Sequence, residues 1–271
     1  MKFRTEVEIP LMPFKIAPCE RMLFVGSCFA DNIGKKFAME KFRAVVNPYG
    51  VMYNPASILH TVKRFLEEAC QEPPKTVFFT LGTNHVYVLK ETGEIVDNCG
   101  KRPQRLFEER LLSVGECKDY IEEAVKLLEK ASMDVRVVLT VSPIRYAKYG
   151  FHESALSKAT LLLAAEQVEK ELKNVTYFPA YEIVNDELRD YRFYQPDMLH
   201  PSQQTVDFIW QKIVDACLGN EAKGFLKEWK PIKEALAHKP FQPDSVEYRN
   251  FLQATKERLQ RLREKYPNMP E

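Results

Sequence analysis

Three residues stand in the order and settings that nucleophilic acyl chemistry requires. Ser27 follows the apolar run Met22-Leu23-Phe24-Val25 and Gly26, and it precedes Phe29, Ile33 and Phe37, which are four apart on one helical face. It therefore sits between a strand and the first turn of a helix. The leading N–H groups of that turn have no internal acceptor, and the helix dipole favours negative charge there. A hydroxyl is a weak nucleophile and needs an adjacent base. His200 is suited to that role, because a neutral imidazole accepts a proton near physiological pH. Asp197, three residues earlier in Gln195-Pro196-Asp197-Met198-Leu199-His200-Pro201, is spaced to reach the other ring nitrogen across a tight turn and fix its tautomer. Asn84, in Gly82-Thr83-Asn84, offers a side-chain amide to an oxyanion hole, where one donor is worth about 3–4 kcal/mol of barrier.

Each residue also has a plainer reading. Ser27 suits a helix N-cap, Asp197 and Asn84 suit turns, and His85 suits a structural position. Cys28 reads as a buried thiol, with a rival reading as the nucleophile itself, since a helix N-terminus favours a thiolate. Arg145 and His152 follow another strand and are candidate substrate contacts. Arg145 suits a clamp on a carboxylate or phosphate, or equally a pairing with a surface acid. Tyr191, Phe193 and Tyr194 either line a pocket or pack.

The elements that must position these residues alternate between short apolar runs and helical patterns. Strands are expected over 22–25, 44–46, 77–81, 135–141 and 175–178, and a hairpin pairs 86–89 with 95–97. Helices are expected after Ser27, after the Asn54-Pro55 start, over 119–131 and 153–172, and after the cap Ser202. The pattern gives a mostly parallel five-stranded sheet with helices on both faces, a three-layer α/β/α fold of flavodoxin-like type. Ligands bind outside the carboxyl ends of such strands. Ser27, Asn84 and the Asp197/His200 loop all fall there. Residues 1–218 read as this main domain. Residues 219–271 read as a charged helical extension packed on it.

Composition narrows the class. The chain has 271 residues with a formal net charge of +1, so the basic excess of a nucleic-acid binder is absent. Six scattered cysteines, with no C-x-x-C pair, read as reduced thiols and neither as a disulfide framework nor as a metal site. No stretch approaches the roughly 18 consecutive apolar residues of a membrane span. A cytoplasmic enzyme acting without metal or organic cofactor is expected.

Phe24-Val-Gly-Ser-Cys-Phe-Ala-Asp-Asn-Ile-Gly34 resembles the signature of the GSCFA family, a branch of the SGNH/GDSL hydrolases. Asn47-Pro-Tyr-Gly, Thr140-Val-Ser-Pro, Leu156-Ser-Lys-Ala-Thr and the stretch from Asp186 to His200 resemble it too, in the same order. The resemblance implies Ser27 as nucleophile with Asp197 and His200 as partners. It also implies an oxyanion hole from the N–H groups of Ser27 and Gly50 and the Asn84 amide. The expected activity is a serine esterase or acyl hydrolase acting on a small-molecule or carbohydrate ester, with deacetylation as one case. Acyl transfer by the same residues, and a non-catalytic binding domain on the same fold, are the alternatives.

Overall fold

The computed structural model describes residues 4–68, 72–242 and 244–271; Cys70 lies outside them. The chain runs β1 (Arg21–Gly26), α1 (Cys28–Met39), β2 (Arg43–Val46), α2 (Pro55–Glu68) and β3 (Thr76–Leu81). Three antiparallel strands follow: β4 (His85–Leu89), β5 (Ile95–Val96) and β6 (Phe107–Leu111). Next come α3 (Val114–Ala131), β7 (Arg136–Val141), α4 (Phe151–Glu171) and β8 (Val175–Tyr177). Short α5 (Ala180–Glu182) continues as a π-helical turn, Ile183–Leu188, before α6 (Gln203–Cys217), α7 (Asn220–Ala237) and α8 (Val246–Lys265).

The main sheet has the order β2-β1-β3-β7-β8, parallel throughout, as the alternating pattern predicts. Successive side chains of a strand point to opposite faces. Leu23, Val25, Val77, Phe79, Val137 and Leu139 therefore pack one way, against Ile58 and Val62 of α2, Ile121 and Val125 of α3 and Leu161 of α4. Met22, Phe24, Phe78 and Val138 face the other way, onto Phe29, Ile33 and Phe37 of α1 and Ile209 and Ile213 of α6. Phe24 stacks on Phe78 with centroids 4.9 Å apart, and Phe37 meets Trp210 edge-on at 4.7 Å. Both faces are covered, so the strands can be apolar runs without alternation.

The expected helix start at Asn54 is present: its side chain accepts from Ser57 N at 2.9 Å. α3 begins earlier than the periodicity suggests, at a capping box built from Ser113 and Glu116. β6 is an addition to the expected hairpin and pairs along the other side of β4. The tail folds back on the main body. Phe225 and Trp229 of α7 join Cys19, Ile232, Leu262, Tyr266 and Met269 in a small apolar cluster, and Trp229 Nε1 donates to Met39 O at 3.1 Å. Among the described residues no helix is long and apolar enough to cross a membrane.

Gly26 ends β1 with φ +145°, and a Cβ added there would lie 2.2 Å from the Thr80 carbonyl oxygen of β3. The two strands can approach only because this position lacks a side chain. Gly26→Ala should lower the unfolding free energy by about 2–4 kcal/mol, from overpacking plus a disfavoured φ. Gly224→Ala in α7, where a methyl meets nothing within 4 Å, should instead stabilise by about 0.5–1 kcal/mol. Urea unfolding of both variants checks the contrast; a neutral Gly26→Ala would show that the strands have room to part.

Candidate active site

One buried asparagine organises the turn that leaves β1. Asn47, just past β2, donates its N–H to Phe24 O at 2.8 Å and accepts from Gly26 N at 2.9 Å through Oδ1. Its Nδ2 donates to Asp31 of α1 at 2.6 Å. The ends of β1 and β2 and the first turn of α1 are thereby fixed to one another.

Ser27 is the N-cap of α1, and its Oγ accepts from Phe29 N at 3.2 Å. The same hydroxyl donates to Ser142 Oγ at 2.9 Å, and the residue is 1% exposed. Cys28, at the first helical position, is partly exposed, and its Sγ lies 3.7 Å from the Tyr53 hydroxyl. Burial, and next the hydrogen bond with Cys28, push the Tyr53 hydroxyl up to about 12, so it stays protonated and can donate. By contrast, burial raises the thiols of Cys19, Cys117 and Cys217 to about 11, about 12 and about 12, as expected of inert core cysteines.

Asp197 and His200 meet as the spacing predicts. His200 Nδ1 lies 2.6 Å from Asp197 Oδ2, and Asp197 Oδ1 accepts from the backbone N–H groups of Leu199 and His200 at 2.8 and 3.0 Å. Those two N–H groups, His200 first, and then the imidazole hold the carboxyl at about 2, well below the usual carboxylate range. With Nδ1 facing the carboxylate, the partner assigns the proton to Nδ1 and leaves Nε2 as an acceptor. The loop is closed on itself by Gln195 N to His200 O at 2.7 Å. It is anchored to the segment after β7 by Arg145 N to Leu199 O at 3.0 Å.

Ser27 Oγ thus bonds to Ser142 and Phe29, and His200 bonds to Asp197; the two candidate partners share no hydrogen bond in this structure. They are linked through one short segment, since Ser142 holds Ser27 and Arg145 holds the histidine loop.

The expected oxyanion hole is not assembled from the three donors named. Ser27 N donates to Thr80 O at 3.1 Å, because β1 is still in register with β3 there. Gly50 N donates to Asn47 O at 2.9 Å, closing its own turn at φ +97°. Asn84 is buried, and its Nδ2 donates to Leu112 O at 2.7 Å, beside a backbone bond from Leu112 N to Asn84 O. Asn84 is therefore engaged in the smaller sheet. The Cys28 N–H, by contrast, has no intrahelical acceptor at the first helical position. His85 stacks on Tyr149 with centroids 4.0 Å apart, a packing position, and His152 is exposed on the first turn of α4.

Sequence reasoning missed Lys158 of α4. It is 3% exposed, and its Nζ donates to Gly82 O at 2.7 Å and to Ser142 O at 2.8 Å. Ser157 beside it accepts from Asn84 N at 3.0 Å and meets the Thr83 hydroxyl at 3.0 Å. α4 therefore ties together the carboxyl ends of β3 and β7. The available signal was a lysine at an apolar helix position among small residues, Leu156-Ser-Lys-Ala-Thr.

The model of the GSCFA family matches residues 21–75 and 69–213, and that of the GSCFA domain protein, C-terminal domain, matches residues 229–270. Among solved structures the chain is similar to a Streptococcus pneumonia protein proposed to be a platelet activating factor. The TM-score is 0.50 at 15% identity, over 74% of this chain and 84% of that one. A catalytic mutant of an acetylxylan esterase from Geobacillus stearothermophilus gives 0.48 at 12% identity, over 75% and 96%. A GDSL-like lipase from Bacteroides thetaiotaomicron gives 0.46 at 15%, over 73% and 87%. The first of these shares the fold. No curated protein matches the chain in sequence.

Burial lowers the Lys158 ammonium from 10.5 to about 7. A lysine depressed in the fold binds its proton more weakly than in the unfolded chain. Its penalty is present in full below about pH 7 and fades as pH rises towards 10.5, so stability rises across that window. Urea unfolding at pH 7 and pH 9 should show wild type gaining stability with pH, and Lys158→Met losing that gain. The same gain in the variant would assign it to other groups. A second titration tests the loop. The Asp197 carboxylate should stay ionised at pH 3 and protonate only near 2 when followed by carbon NMR, and a midpoint at its ordinary 3.8 would mean the loop is open in solution.

Proposed function

The chain belongs to the GSCFA family, and from that premise we propose that it hydrolyses an ester or related acyl bond through an acyl-enzyme intermediate. The observation that carries this reading is the His200–Asp197 pair, closed at 2.6 Å and part-exposed on a loop tied to the segment that leaves β7. His60 and Asp97 form a similar pair at 2.9 Å, and what sets the His200 pair apart is its loop's bond to the segment that leaves β7, with Nε2 left available. A base needs such a pair, since the carboxylate fixes the tautomer and stabilises the imidazolium formed when it takes a proton. The nucleophile attacks the carbonyl carbon and passes its proton to His200 Nε2. The imidazolium returns it to the leaving alcohol, and water repeats the cycle on the acyl-enzyme.

In the first reading the nucleophile is Ser27, as the family motif suggests. Its Oγ must then turn its proton from Ser142 towards His200, while one lone pair can still accept from Phe29 N–H. A second reading, with Cys28 as nucleophile, is favoured by one specific observation: Ser27 is buried and doubly bonded, while the Cys28 thiol is the more open of the two and sits beside the Tyr53 hydroxyl. Its own N–H is then placed to donate to the oxyanion, and the intermediate is a thioester.

Incubation with 4-nitrophenyl acetate, acid quenching and peptide mass spectrometry distinguish the two. Acetyl on Ser27, lost in Ser27→Ala, upholds the first reading. Acetyl on Cys28, lost in Cys28→Ala and retained in Ser27→Ala, upholds the second. In either case His200→Ala should lower kcat by about 10³-fold or more. No adduct and no turnover on folded wild-type protein would overturn the hydrolase reading.

A further inference from the structure

Beside the histidine loop lies a cavity of about 270 Å³ lined by Arg145, Arg189, Asn185, Asp190, Tyr191 and Tyr194. Its charge balance is unusual. Arg145 donates through Nη1 to Met198 O at 3.1 Å. Its guanidinium lies 4.1 Å from the Phe151 ring centroid and within 5.7 Å of those of Tyr191 and Tyr194. Among the described residues neither Arg145 nor Arg189 forms an ion pair. The one acid of the cavity, Asp190, is already engaged: it pairs with Arg192 at 3.2 Å and accepts from Arg192 N at 2.9 Å. Two arginines therefore line the cavity, and among the described residues neither has a carboxylate partner.

The backbone fixes where both arginines start. Arg189 adopts the left-handed conformation at φ +42° where the π-helical turn ends, a conformation that costs a non-glycine residue free energy. π-turns and such outliers concentrate at functional sites. Arg145 is held at both ends of its length, by its backbone bond to Leu199 and its side-chain bond to Met198, within two residues of His200. A guanidinium so oriented, stacked and left without a carboxylate presents further N–H donors in a fixed fork, the geometry that carboxylate and phosphate oxygens accept.

We infer that this cavity is an anion subsite, and that the ester cleaved beside it carries a carboxylate or phosphate group held by Arg145 and Arg189. The inference rests on the hydrolase reading for the word ester, but the subsite is testable without it. Arg189 makes no described side-chain hydrogen bond or ion pair, so Arg189→Gln removes charge without loosening the histidine loop. Succinate and inorganic phosphate, titrated separately and followed on arginine Nε resonances, should bind wild type saturably. Arg189→Gln should weaken binding at least about tenfold, whereas Arg249→Gln on α8 should leave it unchanged. The stronger of the two anions identifies the group. In kinetics, Arg189→Gln should raise KM for mono-4-nitrophenyl succinate at least about tenfold with kcat unmoved, and leave 4-nitrophenyl acetate as it was. Anion binding that depends on Arg189 with neither ester turned over upholds the subsite and overturns the hydrolase reading. Binding indifferent to Arg189, or an equal rise in KM for the neutral ester, overturns the subsite.

Discussion

A single buried ammonium holds the working edge of this molecule together. Where parallel strands leave a sheet their last carbonyls lose the ladder that satisfied them, and a buried carbonyl must find another donor. At the ends of β3 and β7 both carbonyls, of Gly82 and Ser142, find Lys158. Burying a charge is costly unless it is well bonded, and the depressed titration of Lys158 records that cost. What it secures is position. Ser142, held by its carbonyl, accepts the Ser27 hydroxyl. Arg145, three residues on, carries the loop of Asp197 and His200. α4 thus sets the separation of strand ends on which the Ser27 turn and the Asp197–His200 loop both depend.

Around that edge the electrostatics divide into two regions. The carboxylate of Asp197 is satisfied by N–H groups of its own loop, so its charge is fixed on the histidine and is unavailable to a substrate cation. The arginines next to it are left with donors to offer. Loop closure, histidine tautomer and anion capture are in this sense one arrangement, built on the bonds from Arg145 to Leu199 and Met198.

Much of the fold was legible because doubly covered parallel strands are simple to read. Val137 to Val141 and Val77 to Leu81 are buried on both faces and appear as plain apolar runs. β6 was not legible, for the opposite reason: Phe107 is buried, but Glu108, Glu109 and Arg110 are exposed, so the strand resembles a polar loop. The early start of α3 is written in the capping box of Ser113 and Glu116, which lies ahead of the apolar stripe that marks the rest of the helix. At the site, the Asp197–His200 contact is local in sequence and was readable from spacing. The bonds of Asn47, Ser142 and Lys158 are not local. Each depends on which strand ends are neighbours, and spacing along the chain carries no trace of that.

The hardest quantity to read was also the most consequential, the phase of one helix. Sequence places a helix start only to within a few residues. Between Ser27 and Cys28 that margin exchanges two chemical roles. The N-cap residue has non-helical φ and ψ and turns its side-chain oxygen back onto the helix's own N–H groups, which engages its lone pairs and draws it inward. The next residue has helical φ and ψ, directs its side chain outward, and keeps an N–H with no internal acceptor. With α1 beginning at Cys28, serine chemistry falls on the capping position and thiol chemistry on the open one. A strand end with no Cβ at Gly26, pressed against Thr80, fixes that phase, because β1 cannot slide by one residue without placing a side chain in the carbonyl of β3. Packing between two strands thus decides which of two adjacent side chains, hydroxyl or thiol, caps the helix and which stands open.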